Sequence, residues 1–308
     1  MASLNPQATP SVSTEGAQPQ RYGEVFDRGY KHYDGQRLGR MHAIWALMLY
    51  SIKRAMGIKK SWTAKVTPIV LYAAVAIPVA VGIGIRAFVE DAEIFDYVGF
   101  YGYVFVILGV FVAGIAPEML CGDRRENVLA LYFSRAITRI DYLIAKLLAT
   151  ALLTMTVSLV PVLIYWLGIQ LLEDSPLRAM ADRRAEFWAI LVMGTLVALY
   201  LGSAGLLVSA FTDRKSIAIG VIIVLFIVTN AIAIVLFEAL DGELQRYTIF
   251  LSPPNTIIGL GIGLFETSEE NSEWADVADF PTWAYIAWTL GFTAVATAVM
   301  YLRYRPNE

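Results

Sequence analysis

Residues 217–237 read IAIGVIIVLFIVTNAIAIVLF, with Arg214 and Lys215 before them and Glu238 after. A helix rises about 1.5 Å per residue, so this uncharged stretch covers the roughly 30 Å of a bilayer's hydrocarbon core. Five more stretches meet the same test: Thr67–Val89, Tyr97–Ala116, Tyr142–Leu172, Phe187–Phe211 and Trp283–Leu302. Over 308 residues the chain is 57% hydrophobic and 17% charged, too apolar for a soluble domain of that length. The surplus lies in these runs rather than at the spacing of a globular core. The expected fold class is therefore all-α, a polytopic membrane protein with six transmembrane helices. Pro68, Pro78 and Pro161 fall inside spans, where neighbouring helices can satisfy the carbonyls they release. Aromatics gather at span ends (Tyr97, Tyr101, Tyr103, Tyr165, Trp166, Trp188, Trp283, Trp288, Tyr301, Tyr304), as an interfacial belt requires. Lys146, near the start of the long third span, is placed to snorkel toward water.

Basic residues set the orientation. With the N-terminus inside, 19 of the 24 Lys and Arg fall on the cytoplasmic side, and 17 of the 27 Asp and Glu fall outside. Both termini are therefore expected in the cytoplasm. Residues 1–35 begin with a stretch rich in Ser, Pro, Gln and Ala without an apolar signal core, and read as a disordered cytoplasmic tail. Residues 36–66 read as an amphipathic interfacial helix and a basic linker. Leu38, Met41, Trp45, Met48 and Ile52 recur at helical spacing, Arg37, Arg40, Lys53 and Arg54 mark the helix ends, and Lys59, Lys60 and Lys65 follow. Residues 67–308 form the transmembrane domain. Between the fifth and sixth spans, residues 251–265 (LSPPNTIIGLGIGLF) are too short to cross and too apolar for an exposed loop. Led by Pro253 and Pro254 and carrying Gly259 and Gly261, they are expected to form an outer re-entrant hairpin.

The sequence excludes several chemistries. One cysteine, Cys121, precludes an internal disulfide or a multi-cysteine metal site, and His32 and His42 suggest no shared metal. The GxxxxGK[ST] phosphate loop is absent, as are HExxH and GxSxG, so neither ATP binding through that cradle nor a hydrolase site is expected. No Asp, Glu, Arg or His lies inside the expected spans away from their ends, which argues against an ion-coupled transporter. Asn230, Thr229 and Gln170 are the polar residues nearest the interior and read as helix–helix hydrogen-bonding groups. The small-residue rows Gly194–Ala198–Gly202 and Gly109–Ala113 read as close packing between helices. An uncharged channel and a membrane scaffold share this topology and remain alternatives; nothing points to nucleic acid.

The remaining chemistry is concentrated in the loop after the second span, which reads PEMLCGDRRENVLALYFSRAITRIDYLIAK over residues 117–146. A short amphipathic helix is expected to begin at Asp123, Arg124, Arg125 and Glu126, with Val128, Leu131 and Tyr132 as its apolar face. Arg135 and Arg139 follow four apart, and Asp141 precedes the third span. Residues 126–142 (ENVLALYFSRAITRIDY) with Lys146 resemble the signature of ABC transporter permeases of the type-2 (exporter) family. Leu131, Ser134, Arg135, Ile137, Arg139, Asp141, Tyr142 and Lys146 match; Ala136 stands where Pro is usual and Asn127 where Gly is common. The resemblance implies six spans, an N-terminal elbow helix, a cytoplasmic coupling helix in this loop, and the outer hairpin. It also implies a working unit of two permeases (a second copy or a paralogue) with two separate ABC ATPase subunits, in a bacterial or archaeal cytoplasmic membrane. The chain itself would be no enzyme and would hold no cofactor, the ATP lying in the partner subunit. The candidate contacts to that ATPase are Asp123, Arg124, Arg125, Glu126, Val128, Leu131, Tyr132, Ser134, Arg135, Arg139 and Asp141.

Overall fold

The structure is a computed structural model that describes residues 38–58, 62–89, 96–133, 137–266 and 273–305. The expected disordered tail, together with Arg37, Lys59, Lys60, Ser134 and Arg135, lies outside the described residues. The regular elements described are all helical. In chain order they are α1 (Arg40–Ala55), α2 (Thr63–Phe88), α3 (Tyr97–Arg125), α4 (Leu129–Phe133), α5 (Arg139–Ser158), α6 (Val160–Leu172) and α7 (Pro176–Asp182). They continue with α8 (Arg184–Ser209), α9 (Lys215–Ala239), α10 (Glu243–Tyr247), α11 (Pro253–Phe265), α12 (Glu273–Ala278) and α13 (Thr282–Tyr304).

Among the described residues, six helices are long and apolar enough to cross a membrane, and they coincide with the six expected spans. The second extends further than expected. It does not stop at Ala116 but runs through Pro117 to Arg125, drawing Glu118 and Asp123 into the helix. The third runs from Arg139 to Leu172 as α5 and α6, interrupted at Leu159, where Pro161 in the first turn of α6 has no N–H to donate.

The helices form a tight centre and a loose periphery. In α8, 72% of the apolar window is buried, against 17% in both α2 and α9. The centre is α8 packed on α3 and α5, and Ile190, Met193, Val197 and Leu201 of α8, Val104, Leu108 and Val112 of α3 and Ala145, Ala149 and Leu153 of α5 belong to one buried core. In lipid this association rests on van der Waals fit, so small residues must bring backbones together. The Gly194–Ala198–Gly202 row does so: a Cβ on Gly194 would stand 2.7 Å from the Leu159 Cβ, and one on Gly202 would stand 3.3 Å from the Thr150 Cγ2. A Cβ on Gly109 would stand 3.5 Å from the Phe226 ring, an ordinary contact distance.

At the far end, α10 and the 3-10 turn Thr248–Leu251 meet α11 at a bend of 104°. Ser252 makes the corner. Its Oγ accepts from the Asn255 N–H at 3.3 Å, capping α11, and lies 2.7 Å from Asn230 Oδ1 on α9. Pro253 and Pro254 occupy the first turn, where a missing N–H costs nothing. Beyond the bend α11 is inserted among α3, α8, α9 and α13, with Pro253, Thr256, Ile257, Gly259, Leu260 and Gly261 buried. Gly259 lies under the Tyr285 ring and Gly261 against Val98. The segment is thus a re-entrant helix within the bundle.

Amphipathic helix α1 is present, but its apolar residues divide between two faces. Leu47, Met48 and Ser51 are buried against the bundle, whereas Leu38, Met41, Trp45 and Leu49 stay exposed on an adjacent edge. Of the polar interior residues, Asn230 bridges helices as expected and Thr229 bonds back to its own helix. Gln170 is buried with no hydrogen-bond partner for its amide.

The Gly194 contact gives a stability test. Gly194→Ala pushes a methyl into Leu159, including its backbone, and is expected to lose about 1–3 kcal/mol. Gly291→Ala on α13, where a Cβ meets nothing within 4 Å, should leave thermal unfolding in detergent unchanged or slightly raised.

Candidate functional site

At the end of the bundle where α1 lies, the Asp123 carboxylate is fully buried on α3. An isolated buried carboxylate is costly, so its environment must supply positive charge and donors. Arg54 of α1 donates from Nη1 to Oδ1 at 2.6 Å. On the other oxygen, Oδ2, Lys146 Nζ of α5 lies at 2.8 Å and the Tyr142 hydroxyl donates at 2.9 Å. Lys146 also donates to Ser51 Oγ at 3.0 Å, and that hydroxyl donates to the Leu47 carbonyl. One carboxylate therefore ties together α1, α3 and α5. Lys146, 1% exposed, does not snorkel as expected; it turns inward because Asp123 offers a charge where water is absent.

Local backbone chemistry builds this arrangement. A Cβ on Gly122 would fall 1.7 Å from the Arg54 Nη2, so the guanidinium reaches Asp123 only because Gly122 has no side chain. Just beyond, α3 ends in a Schellman motif. Asn127 takes φ 53°, its N–H bonds to the Arg124 carbonyl at 3.2 Å, and the Val128 N–H bonds to that of Asp123 at 3.2 Å. Asn tolerates this left-handed conformation, which is why it can stand where Gly is common in the related signature.

A second pair anchors the other end of α1. Arg40 donates to both oxygens of Asp141, at 2.6 and 2.8 Å. Asp141 in turn forms a capping box with Thr138 at the start of α5. Sequence reading saw Arg40 and Arg54 only as markers of helix ends; they are the two cations that fasten α1 to the bundle. Gly122 and Ser51 were missed altogether. A Gly directly before an Asp, close to the end of an apparent span, was the available signal.

The expected coupling residues do not share one surface. Asp123 and Asp141 are internal, so the expectation that a short helix begins at Asp123 is corrected: that residue still belongs to the second span. The separate short helix is α4, and part of its expected apolar face is used internally. Tyr132 and Phe133 are half-buried, with ring centroids 5.9 and 6.0 Å from that of Tyr142. Arg124 donates to the Ala210 carbonyl at the end of α8, where a cation suits the helix dipole. Val128 is half-buried, as is Arg139, which sits over the Phe133 ring at 5.4 Å. Arg125 and Glu126 project outward. Leu131 belongs to α4 through its backbone, its side chain lying outside the description, as Ser134 and Arg135 do entirely.

On the outer surface of the bundle, α3 and α9 enclose an apolar groove of about 510 Å³, lined by Gly102, Phe105, Val106, Ile223, Phe226 and Ile227 among others, with Asn230 and Pro254 also lining it. Its walls carry no charge.

Residues 9–308 match the family described as ABC-2 family transporter protein, and the chain belongs to that family. It is a membrane protein of the permease type, with the spans, amphipathic helix and re-entrant helix described above. No curated protein matches the sequence.

The hub makes an energetic prediction. Asp123→Asn leaves Lys146 facing no carboxylate in a dry site and Arg54 with the more distant Glu126, and should cost about 3–5 kcal/mol. Asp123→Asn combined with Lys146→Met removes charge from both partners and should recover much of that loss in thermal unfolding, since Arg54 keeps Glu126 at 3.8 Å.

Proposed function

We propose that this chain is the membrane-spanning subunit of an ATP-driven exporter whose ATPase is a separate polypeptide, working as a pair of permease copies or paralogues. The observation that carries this reading is the block formed by α1, α3 and α5. Asp123 and Asp141 pin α1 to the bundle at both ends, and the short helix α4 with exposed Arg125 and Glu126 lies beside that block. A force applied there reaches three helices through ion pairs instead of being absorbed by a compliant loop. Family membership supports the same reading, because permeases of this kind work with an ATPase subunit. ATP is bound by that partner, with α4 and the residues around it as the docking face.

The path runs along the groove between α3 and α9, closed by the second copy. Its apolar walls suit amphiphiles, and α9, held by a narrow stripe of buried residues, is one of the two loosely seated spans, with α2, and the one that borders the groove. Both termini face the cytoplasm, following the distribution of basic residues.

Two experiments test this. Arg125→Glu and Arg139→Glu, on residues outside the Asp123 hub, should lower ATPase copurification and transport-coupled hydrolysis several-fold, with membrane insertion unchanged. Unaltered coupling in both variants would remove the role of this surface. In a Cys121→Ala background, a cysteine at position 125 should react with an impermeant thiol reagent only from the cytoplasmic side, and one at position 246 only from outside.

A further inference from the structure

Among the described residues, five buried side-chain nitrogen or oxygen atoms have no hydrogen-bond partner. Three of the five belong to α6, a helix of 13 residues: Nε1 of Trp166 and both amide atoms of Gln170. The two residues stand one turn apart on the buried face of α6, where the Trp166 ring meets Phe187 of α8 with centroids 5.4 Å apart. A buried amide that bonds to nothing is costly. The seam between α6 and α8 is therefore closed at the expense of its polar groups.

The other side of α6 is tightly fitted to α2. A Cβ on Gly82 would stand 2.9 Å from the Tyr165 ring, and one on Gly168 would stand 2.5 Å from the Ile83 Cδ1. Near the tips Arg86 pairs with Glu173 at 3.5 Å. These contacts join residues 79–88 of α2 to α6 as a two-helix arm. Nearer the hub, the Tyr72 hydroxyl is bonded to that of Thr156 on α5, and the Tyr72 ring meets Phe111 of α3. That part of α2 is fastened to the core.

Between the fastened part and the arm, each helix carries a proline at the same level. Pro78 comes six residues after Tyr72 and four before Gly82; Pro161 comes five after Thr156 and four before Tyr165. Each proline removes a backbone hydrogen bond, so both helices bend most readily there. The carbonyl released by Pro78, that of Ala74, accepts from the Tyr103 hydroxyl of α3 at 3.0 Å, which anchors the bending point to the core.

We propose that this arm swings on Pro78 and Pro161, parting α6 from α8, and that water entering the opened seam satisfies Trp166 and Gln170. The seam alternates between a dry, closed form with orphaned polar groups and a wet, open one. The motion requires neither α9 nor the docking face.

The test uses the purified full chain in a Cys121→Ala background carrying Ile169→Cys, a position on the same buried face of α6 and 8% exposed. Its rate of reaction with N-ethylmaleimide reads the open form, and should exceed that of Val104→Cys, in the fully buried core, about tenfold. Gln170→Leu makes the closed seam apolar and should lower the Ile169→Cys rate about fivefold while raising the melting temperature. Pro78→Ala together with Pro161→Ala restores the backbone bonds and should lower the rate about threefold. Gly291→Ala, outside the arm, should leave it unchanged. A melting temperature lowered by Gln170→Leu would show that the amide is satisfied in the closed form, and would overturn the proposal. So would a rate unchanged in Gln170→Leu or in the proline pair, or an Ile169→Cys rate equal to that of Val104→Cys. Should the proline pair fail to elute as a single species, Trp166→Phe takes its place. That variant keeps the ring and loses the N–H, and should lower the rate about twofold; an unchanged rate there is equally decisive against the swing.

Discussion

The architecture depends on a carboxylate that has no access to water. Asp123 is stable inside the bundle only while opposite charges and a hydroxyl surround it, and those partners come from two other helices. This requirement decides several otherwise separate features. The second span can continue past Pro117 because the charge it acquires is answered. Lys146 is directed inward, Gly122 must lack a side chain, and α1 cannot drift along the membrane surface because its last turn carries one of the cations. The Arg40–Asp141 pair repeats the device in a wetter setting, where the carboxylate also serves as part of a helix cap.

The contrast between centre and periphery follows from where small residues stand. On α8, Gly194, Gly202 and Gly205 allow α5 and α3 to approach closely, so these helices share a core that moves as one piece. Helices α2 and α9 have long apolar faces with few partners, which is acceptable in lipid because hydrocarbon solvates them as well as protein would. The groove between α3 and α9 is a result of that loose seating.

Much of this was legible in the sequence because hydropathy reports length and position along the membrane normal. The six spans, the interfacial helix and the broken helix at Ser252 all follow from runs of apolar residues, prolines and flanking charge. Pairing was not legible. Arg54 and Asp123 are 69 residues apart, and neither looks unusual alone. A run such as Asp123-Arg124-Arg125-Glu126 reads as the wet end of a helix, and only the partner across the bundle shows that its first member is dry. Lys146 was misread for the same reason: snorkelling is the right inference for a lone lysine near an interface, and this one is not alone. The face of α4 was half-legible. Tyr132 stands on the expected apolar face, but the ring it packs against, Tyr142, belongs to the next span.

Synthesis along the ribosome gives the hub a sequence in time. When α3 is made, Arg54 already exists but Lys146 and Tyr142 do not, so Asp123 has at most one of its three partners. The hub therefore cannot close until the third span has followed the second, and the loop between them must leave α5 free to come back against α3.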